Sequence, residues 1–332
     1  MNLNKKLMLT LKKRFTLALL WSITTLLFCY LVLGLGLIFI GDKAGSDFIV
    51  GNIYTLAPGF FAIIFIITFK TDILSFNQFK YPGFQWIFFG FAYTVTVLFF
   101  TILTSLLLGE MSFNAQYTPF KGELEGFSTS VQILDIILFF IIVGFLLLFS
   151  PGGFIRIIGE ELGWRGYLLP ELLKMKPKIS FLITSLIVGL VWFLYHIPYF
   201  TILAPVENDK IIYLLLGSAG VFFGANWAMM WAYLKTKNLW PALSLHFIWN
   251  LMAPVLTGNV YSKSLGWLNP NLDNIWLVNG EGLIGGFYHF IIGLVFLYLI
   301  LRDKDLLSQQ YDKLVEINNN NINLEPKRIK IS

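Results

Sequence analysis

Charge is what this sequence has least of. Asp, Glu, Lys and Arg make up 13% of its 332 residues, against about 25% in average soluble chains, while apolar residues reach 57%. That balance excludes an ordinary soluble domain and points to a chain whose main solvent is lipid. Cysteine is almost missing too. Cys29 stands alone inside the first apolar run, which excludes a disulfide framework and a cysteine-based metal site; as a single residue it reads as a small apolar filler. There are only three histidines, so the position of each carries weight. Internal repeats of 20–50 residues are absent, as are paired broken helices in matching halves, which argues against a transporter. A cleavable leader is also disfavoured. The basic start runs into an apolar stretch from Phe15 to Ile40, far longer than the roughly 7–15 residues of a signal h-region, so it reads as a retained anchor.

What is present is a series of long apolar segments. Eight of them, at about 15–40, 50–69, 85–108, 131–150, 180–204, 211–234, 239–256 and 283–301, come close to the ~20 residues that cross ~30 Å of hydrocarbon. The fold class is therefore an all-α polytopic membrane protein, a bundle of about eight transmembrane helices. Residues 1–14 form a basic cytoplasmic segment, 15–301 the membrane domain, and 302–332 a charged, Asn-rich cytoplasmic tail. Of the 24 Lys and Arg residues, all but Lys43, Lys121, Lys210 and Lys263 fall on the side that holds both ends. By the positive-inside rule that side is the cytoplasm. The net charge of +5 is thus accounted for by threading through a membrane, expected to be the plasma membrane. The partner implied is a lipid bilayer, with no nucleic acid.

Against this background a few polar residues stand out. The stretch Gly159-Glu160-Glu161-Leu162-Gly163-Trp164-Arg165-Gly166 sets two carboxylates and a guanidinium beside an apolar run, where ionised residues cost about 2.5–3.5 kcal/mol each and by default mark function. In a helix Glu161 and Arg165 are i and i+4 and pair on one face, which turns Glu160 about 100° away. The fifth apolar segment carries Trp192 and His196, and the seventh carries His246 and Asn250, again i and i+4. A carboxylate, two imidazoles and an amide from three segments make an acid–base set. A glutamate with a neutral histidine can hold a water and take its proton, while a second histidine and an amide can donate to the oxyanion formed on a carbonyl. That is peptide hydrolysis without a covalent intermediate. No Gly-x-Ser-x-Gly elbow is present, and no cysteine accompanies the histidines. His-Glu-x-x-His is also absent, yet Glu160, His196 and His246 have the donor types of a His2Glu zinc site, so two chemistries remain: no cofactor, or one divalent metal such as zinc. Other polar residues read more simply. Asn226 and His289 suit hydrogen-bonded glue between helices, Asp135 reaches the interface, and Gly220 and Gly224 suit close helix packing.

At these residues the sequence resembles the CAAX-processing and bacteriocin-processing (CPBP, or Abi) family of intramembrane proteases, which includes the type II CAAX prenyl endopeptidases. Glu-Glu-x-x-x-Arg is met by Glu160, Glu161 and Arg165, the aromatic-x-x-x-His motif by Trp192 and His196, and His-x-x-x-Asn by His246 and Asn250. The likeness covers about residues 130–255, and Trp192 stands where the family often has Phe. The resemblance implies a cytoplasm-facing catalytic chamber and an endopeptidase acting on a membrane-associated or prenylated peptide or protein. In that picture Glu160 is the general base, His196 assists it, His246 and Asn250 bind the oxyanion, and Glu161 and Arg165 are structural support. The alternative within the same fold is a non-proteolytic scaffold or bacteriocin-immunity protein. One geometric demand follows. His246 lies roughly 10 Å into its span and His196 roughly 24 Å into its own at 1.5 Å per residue, so they meet only if the fifth helix tilts or begins in the cytoplasm.

Overall fold

A computed structural model describes residues 3–39, 44–71, 76–119, 126, 128–129, 131–149, 153–173, 179–198, 210–258, 265–303 and 306. Helices dominate it. They are α1 (Leu3–Phe39), α2 (Ala44–Phe69), α3 (Phe84–Leu107), α4 (Gln132–Phe149), α5 (Phe154–Glu161), α6 (Leu169–Leu173), α7 (Ile179–Pro198), α8 (Ile211–Thr236), α9 (Trp240–Thr257), α10 (Ile275–Val278) and α11 (Leu283–Arg302). Each expected apolar segment is helical over its described residues, 199–204 of the fifth lying outside them, and the all-α membrane class holds. Among the described residues six segments are long and apolar enough to cross a bilayer: Lys12–Gly36, Val50–Phe69, Phe84–Leu107, Phe181–Pro198, Ile211–Thr236 and Ile275–Arg302. The other two expected spans are α4, whose apolar part Gln132–Leu146 is shorter, and α9, which carries Ser244, His246 and Asn250 among its 18 residues. The first helix runs from the basic segment into the apolar run as one element of 37 residues. Most of the charged tail, and the lysines at 174–178, lie outside the described residues.

Outward faces are apolar, with Leu27, Ile67, Phe99 and Ile141 all more than half exposed. In water such a surface is a liability, whereas in hydrocarbon it is the favoured face. The connections sort into two ends. At one end Asn238 donates to the Lys80 carbonyl, Trp240 Nε1 to Phe79 O at 2.9 Å, and Lys235 pairs with Asp303. At the other, strand β1 (Met111–Phe113) pairs antiparallel with β2 (Leu268–Pro270), with Ser112 opposite Asn269. Loops that alternate threading assigns to opposite faces are therefore separated, and those assigned to one face touch.

Two glycine seams set the distances on which the site depends. Gly217, Gly220 and Gly224 of α8 meet Gly282, Gly286 and Gly293 at the start and within α11; a Cβ on Gly220 would sit 2.6 Å from the Gly286 carbonyl carbon. Without side chains there the two backbones pack directly, as small residues allow in membranes. The expectation for Gly220 and Gly224 holds. The second seam joins α2 to α5 and the segment after it. A Cβ on Gly59 would lie 2.7 Å from Gly159 O, and one on Gly163 would lie 2.8 Å from the Pro58 carbonyl carbon. Gly159 and Gly163 thus face α2, and the helical period turns the intervening Glu160 and Glu161 off that face. Four residues therefore both dock the motif helix and aim its carboxylates.

Candidate active site

The motif segment is a continuous helical arc of three kinds. α5 gives way at Leu162 to a seven-residue π-helical stretch, Leu162–Leu168, which returns to α-helix in α6. The Leu169 N–H reaches back five residues to Trp164 O, the π pattern, which recurs at functional sites. Every residue from Gly159 to Leu169 is buried. Gly153 precedes the arc as a turn, so the helix breaks near the Pro151-Gly152-Gly153 sequence; residues 151 and 152 lie outside the described residues.

One carboxylate of the motif is fully engaged. Arg165 Nη1 donates to Glu161 Oε1 and Oε2 at 2.9 and 2.8 Å, the i,i+4 pair, with both side chains 0% exposed. Arg165 Nη2 donates to Asn226 Oδ1 at 3.0 Å, and Asn226 Nδ2 donates to the Ser185 carbonyl, also at 3.0 Å. The guanidinium lies 4.5 Å from the centre of the Trp192 ring. His246 completes the set, with Nδ1 at 2.9 Å from Glu161 Oε1. An ionised carboxylate only accepts, so this contact puts a proton on Nδ1 and fixes which nitrogen faces the other way. α5, the π stretch, α7, α8 and α9 are thereby tied through one ion pair. Within this cluster Arg165 Nε has no hydrogen-bond partner.

Glu160 is in the opposite condition. It is buried at 6% exposure, and its Oε2 makes no hydrogen bond. The indole N–H groups of Trp164 and Trp192 are directed toward it, yet neither closes a hydrogen bond of standard geometry. Glu160 lies within electrostatic reach of His246. Beside this group is a cavity of about 60 Å³, lined by residues that include Trp192, His196, His246, Asn250, Ser218 and His289. Its lining positions on α8 extend from Ser218 to Met229, about 16 Å at the helical rise.

Trp192 answers the depth problem. Its ring centre is 6.2 Å from that of His196 and 5.8 Å from that of His246, so both imidazoles reach one cavity although they enter at different heights. His196 donates Nδ1–H to the Trp192 carbonyl at 3.0 Å, since a carbonyl can only accept, and its ring stacks on Phe222 at 4.3 Å. Asn250 is exposed, lines the cavity and makes no side-chain hydrogen bond among the described residues. The arrangement thus gathers His196, His246 and Asn250 on one wall system. Glu160 is not itself a lining residue; it adjoins Trp192 and His246, which are.

The zinc alternative asks that Glu160, His196 and His246 converge on one point. Among the described residues no three His, Cys, Asp or Glu side chains are grouped in that way, while His246 Nδ1 on Glu161 leaves Nε2 available to a metal as readily as to an oxyanion. Sequence reading misses the link from Arg165 to Asn226. An asparagine inside an apolar span signals that a partner exists, but nothing in the sequence names which helix supplies it.

Comparison with known proteins adds a family. Residues 129–252 match the family model described as Rce1-like, type II CAAX prenyl endopeptidase Rce1-like. The matched stretch begins just before α4 and ends inside α9, so it contains all three motifs and the arc between them. A search of curated proteins gives no match.

Proposed function

We propose that this chain, whose residues 129–252 match the Rce1-like type II CAAX prenyl endopeptidase model, is an intramembrane endopeptidase that cleaves a membrane-associated or prenylated peptide with water activated by Glu160. The observation that carries this reading is the unequal treatment of neighbouring carboxylates. Glu161 is consumed by Arg165 and His246, whereas Glu160 keeps an oxygen without a partner. Leaving a buried polar atom unpaired costs about 1–3 kcal/mol, and such a group is retained where it has work to do on a ligand.

The steps follow from the donors and acceptors present. Glu160 takes a proton from water, and His196, whose Nδ1–H is held by Trp192 O, offers Nε2 as an acceptor that steadies the same water. The water oxygen bonds to the scissile carbonyl carbon, and the C=O electron pair moves onto oxygen. That oxyanion is held by the Asn250 amide and by His246 Nε2–H. For His246 to donate there it carries both protons, with Glu161 as counter-charge, since Glu160 by then holds the water proton. Collapse of the tetrahedral intermediate breaks the C–N bond, and the departing amine takes the proton from Glu160. The chamber opens to the cytoplasm in this proposal, as the lysine and arginine distribution implies. No step uses a metal.

The deciding experiment compares membranes from cells making wild type or Glu160→Gln, by mass spectrometry of membrane peptides, together with turnover by the purified chain before and after chelation. Cleavage products present only with wild type, and turnover indifferent to chelators, are expected. Stoichiometric zinc whose removal abolishes turnover and whose return restores it overturns the metal-free mechanism. An active Glu160→Gln overturns the role of Glu160 altogether.

A further inference from the structure

Two cavity-lining groups have no part in that mechanism. His289 of α11 and Ser218 of α8 are 1% and 2% exposed, both line the cavity, and His289 Nε2 and Ser218 Oγ each lack a hydrogen-bond partner. A histidine acting only as glue between helices commits its polar atoms to neighbouring helices. His289 commits one: Nδ1 lies 3.0 Å from the Tyr93 hydroxyl. The ring itself is gripped, edge-on to Trp249 at 4.3 Å between centres and 5.6 Å from Tyr93. It is a rigid group with one nitrogen left over.

The leftover nitrogen is a donor. Among the described residues His289 is the only side-chain partner of the Tyr93 hydroxyl, and a buried hydroxyl left with an unspent proton is worse placed than one with an unspent lone pair. Tyr93 therefore donates to Nδ1. In a neutral imidazole that makes Nδ1 the acceptor and puts the proton on Nε2. Nε2–H and the Ser218 hydroxyl accordingly present two donors to a cavity whose apolar wall includes Val221, Phe222, Leu245 and Trp249. Few polar groups converging in an apolar cavity orient a ligand. The glycine seam fixes their separation, because Ser218 adjoins Gly217 and the His289 carbonyl packs on Gly224.

We propose that His289 and Ser218 form a subsite that anchors an oxygen acceptor of the substrate, a peptide carbonyl or a terminal carboxylate, and thereby positions the scissile bond against Asn250 and His246. This rests on the protease reading above. Glu281 also lines the cavity, and a carboxylate there weighs toward a neutral carbonyl over a charged terminus. The two are positioning residues, so their loss weakens binding and leaves the bond-breaking step largely intact.

The test uses the full chain in nanodiscs and an internally quenched farnesylated peptide, as free acid and as C-terminal amide. His289→Phe and Ser218→Ala should each raise KM about tenfold, the size of one lost hydrogen bond, with kcat within about threefold of wild type. His289→Gln, whose amide nitrogen donates from a similar position, should recover most of the affinity. Tyr93→Phe frees the tautomer without touching the cavity and should raise KM less. The same peptides are titrated onto Glu160→Gln chains with and without His289→Phe, a readout that needs no cleavage. Equal affinities there, or variants that lower kcat at unchanged KM, overturn the subsite. Weaker binding by Glu160→Gln/His289→Phe supports it even if the wild type proves not to cut, which would refute the protease reading alone. A penalty confined to the free acid assigns a carboxylate, and one shared by both peptides assigns a carbonyl.

Discussion

Two sets of buried polar groups in this molecule, only a helical turn apart, are treated in opposite ways. Around Glu161 nearly everything is paired: Arg165, Asn226, His246 and the Ser185 carbonyl close on one another. Around Glu160 and the cavity, Glu160 Oε2, Trp192 Nε1, Ser218 Oγ and His289 Nε2 are left open. Both regions pay the desolvation that burial imposes, but only the first recovers it inside the chain. Unpaired buried atoms also occur elsewhere, at Thr25 and Thr94 for example, so what the proposed mechanism draws on is open groups gathered beside a cavity, set against a paired cluster that serves as scaffold. The contrast also divides the expected consequences of mutation: stability on one side, turnover on the other.

The sharpest way to break that contrast is to treat the adjacent carboxylates alike. Glu160→Gln should reduce turnover by roughly 10²–10⁴-fold, the scale of a lost general base, while the thermal midpoint in detergent stays that of wild type. Glu161→Gln should chiefly lower the midpoint, because Arg165 is left with a weaker partner, with a smaller loss of turnover through His246, whose Nδ1 it holds. If the two variants lose turnover equally and melt alike, the division is wrong.

Next in size is the ion pair itself. Arg165→Ala leaves Glu161 buried with only His246 and should destabilise by about 3–5 kcal/mol, as removal of one partner of a buried pair does. Replacing Glu161 and Arg165 together by apolar residues of similar volume should regain part of that loss, since no lone charge remains. Quantitative melting of the single and double variants checks this. A single variant as stable as wild type shows that the pair is not structural.

How much of this was readable beforehand depends on range along the chain. The helices and their breaks were legible, because a run of apolar residues states its own length against the bilayer. So was the Glu161–Arg165 pair, since four residues of separation bring two side chains together whether or not the turn loosens into a π stretch. Gly220 and Gly224 were readable as a close crossing for the same local reason. The partner of Arg165 was not, because Asn226 is 61 residues away and no local rule joins α8 to the motif arc. Nor was the meeting of His196 with His246. Counting positions put them at different depths, and only the position of Trp192 between the two rings shows how they share a cavity. His289 was read as glue, which describes its Nδ1 and misses its Nε2.

A smaller effect tests the open region from another helix. Asn250 has no hydrogen bond to lose among the described residues, so Asn250→Ala should melt like wild type. If its amide holds the oxyanion, turnover should still fall by roughly 10²-fold, the lower range for removing one such donor, with KM little changed. A fall in stability in place of turnover would move Asn250 into the closed set.

The smallest effect concerns a pair with the same chemistry as Glu161–Arg165 and a different solvent. Lys235 and Asp303 join the ends of α8 and α11, with side chains 36% and 27% exposed. Water screens such a pair and holds each charge nearly as well when it is alone, so exposed ion pairs contribute about 0–1 kcal/mol. The α8–α11 contact beneath it is already fixed by glycine backbones in direct touch, which leaves the ion pair little to add. Lys235→Ala should therefore move the thermal midpoint by no more than that small energy implies, and added salt should erase the difference. Salt should leave the cost of Arg165→Ala in place, because no counter-ion reaches a pair with 0% exposure. If Lys235→Ala proves as damaging as Arg165→Ala, burial is not what separates the two pairs, and the reading of the closed region as scaffold loses its physical basis.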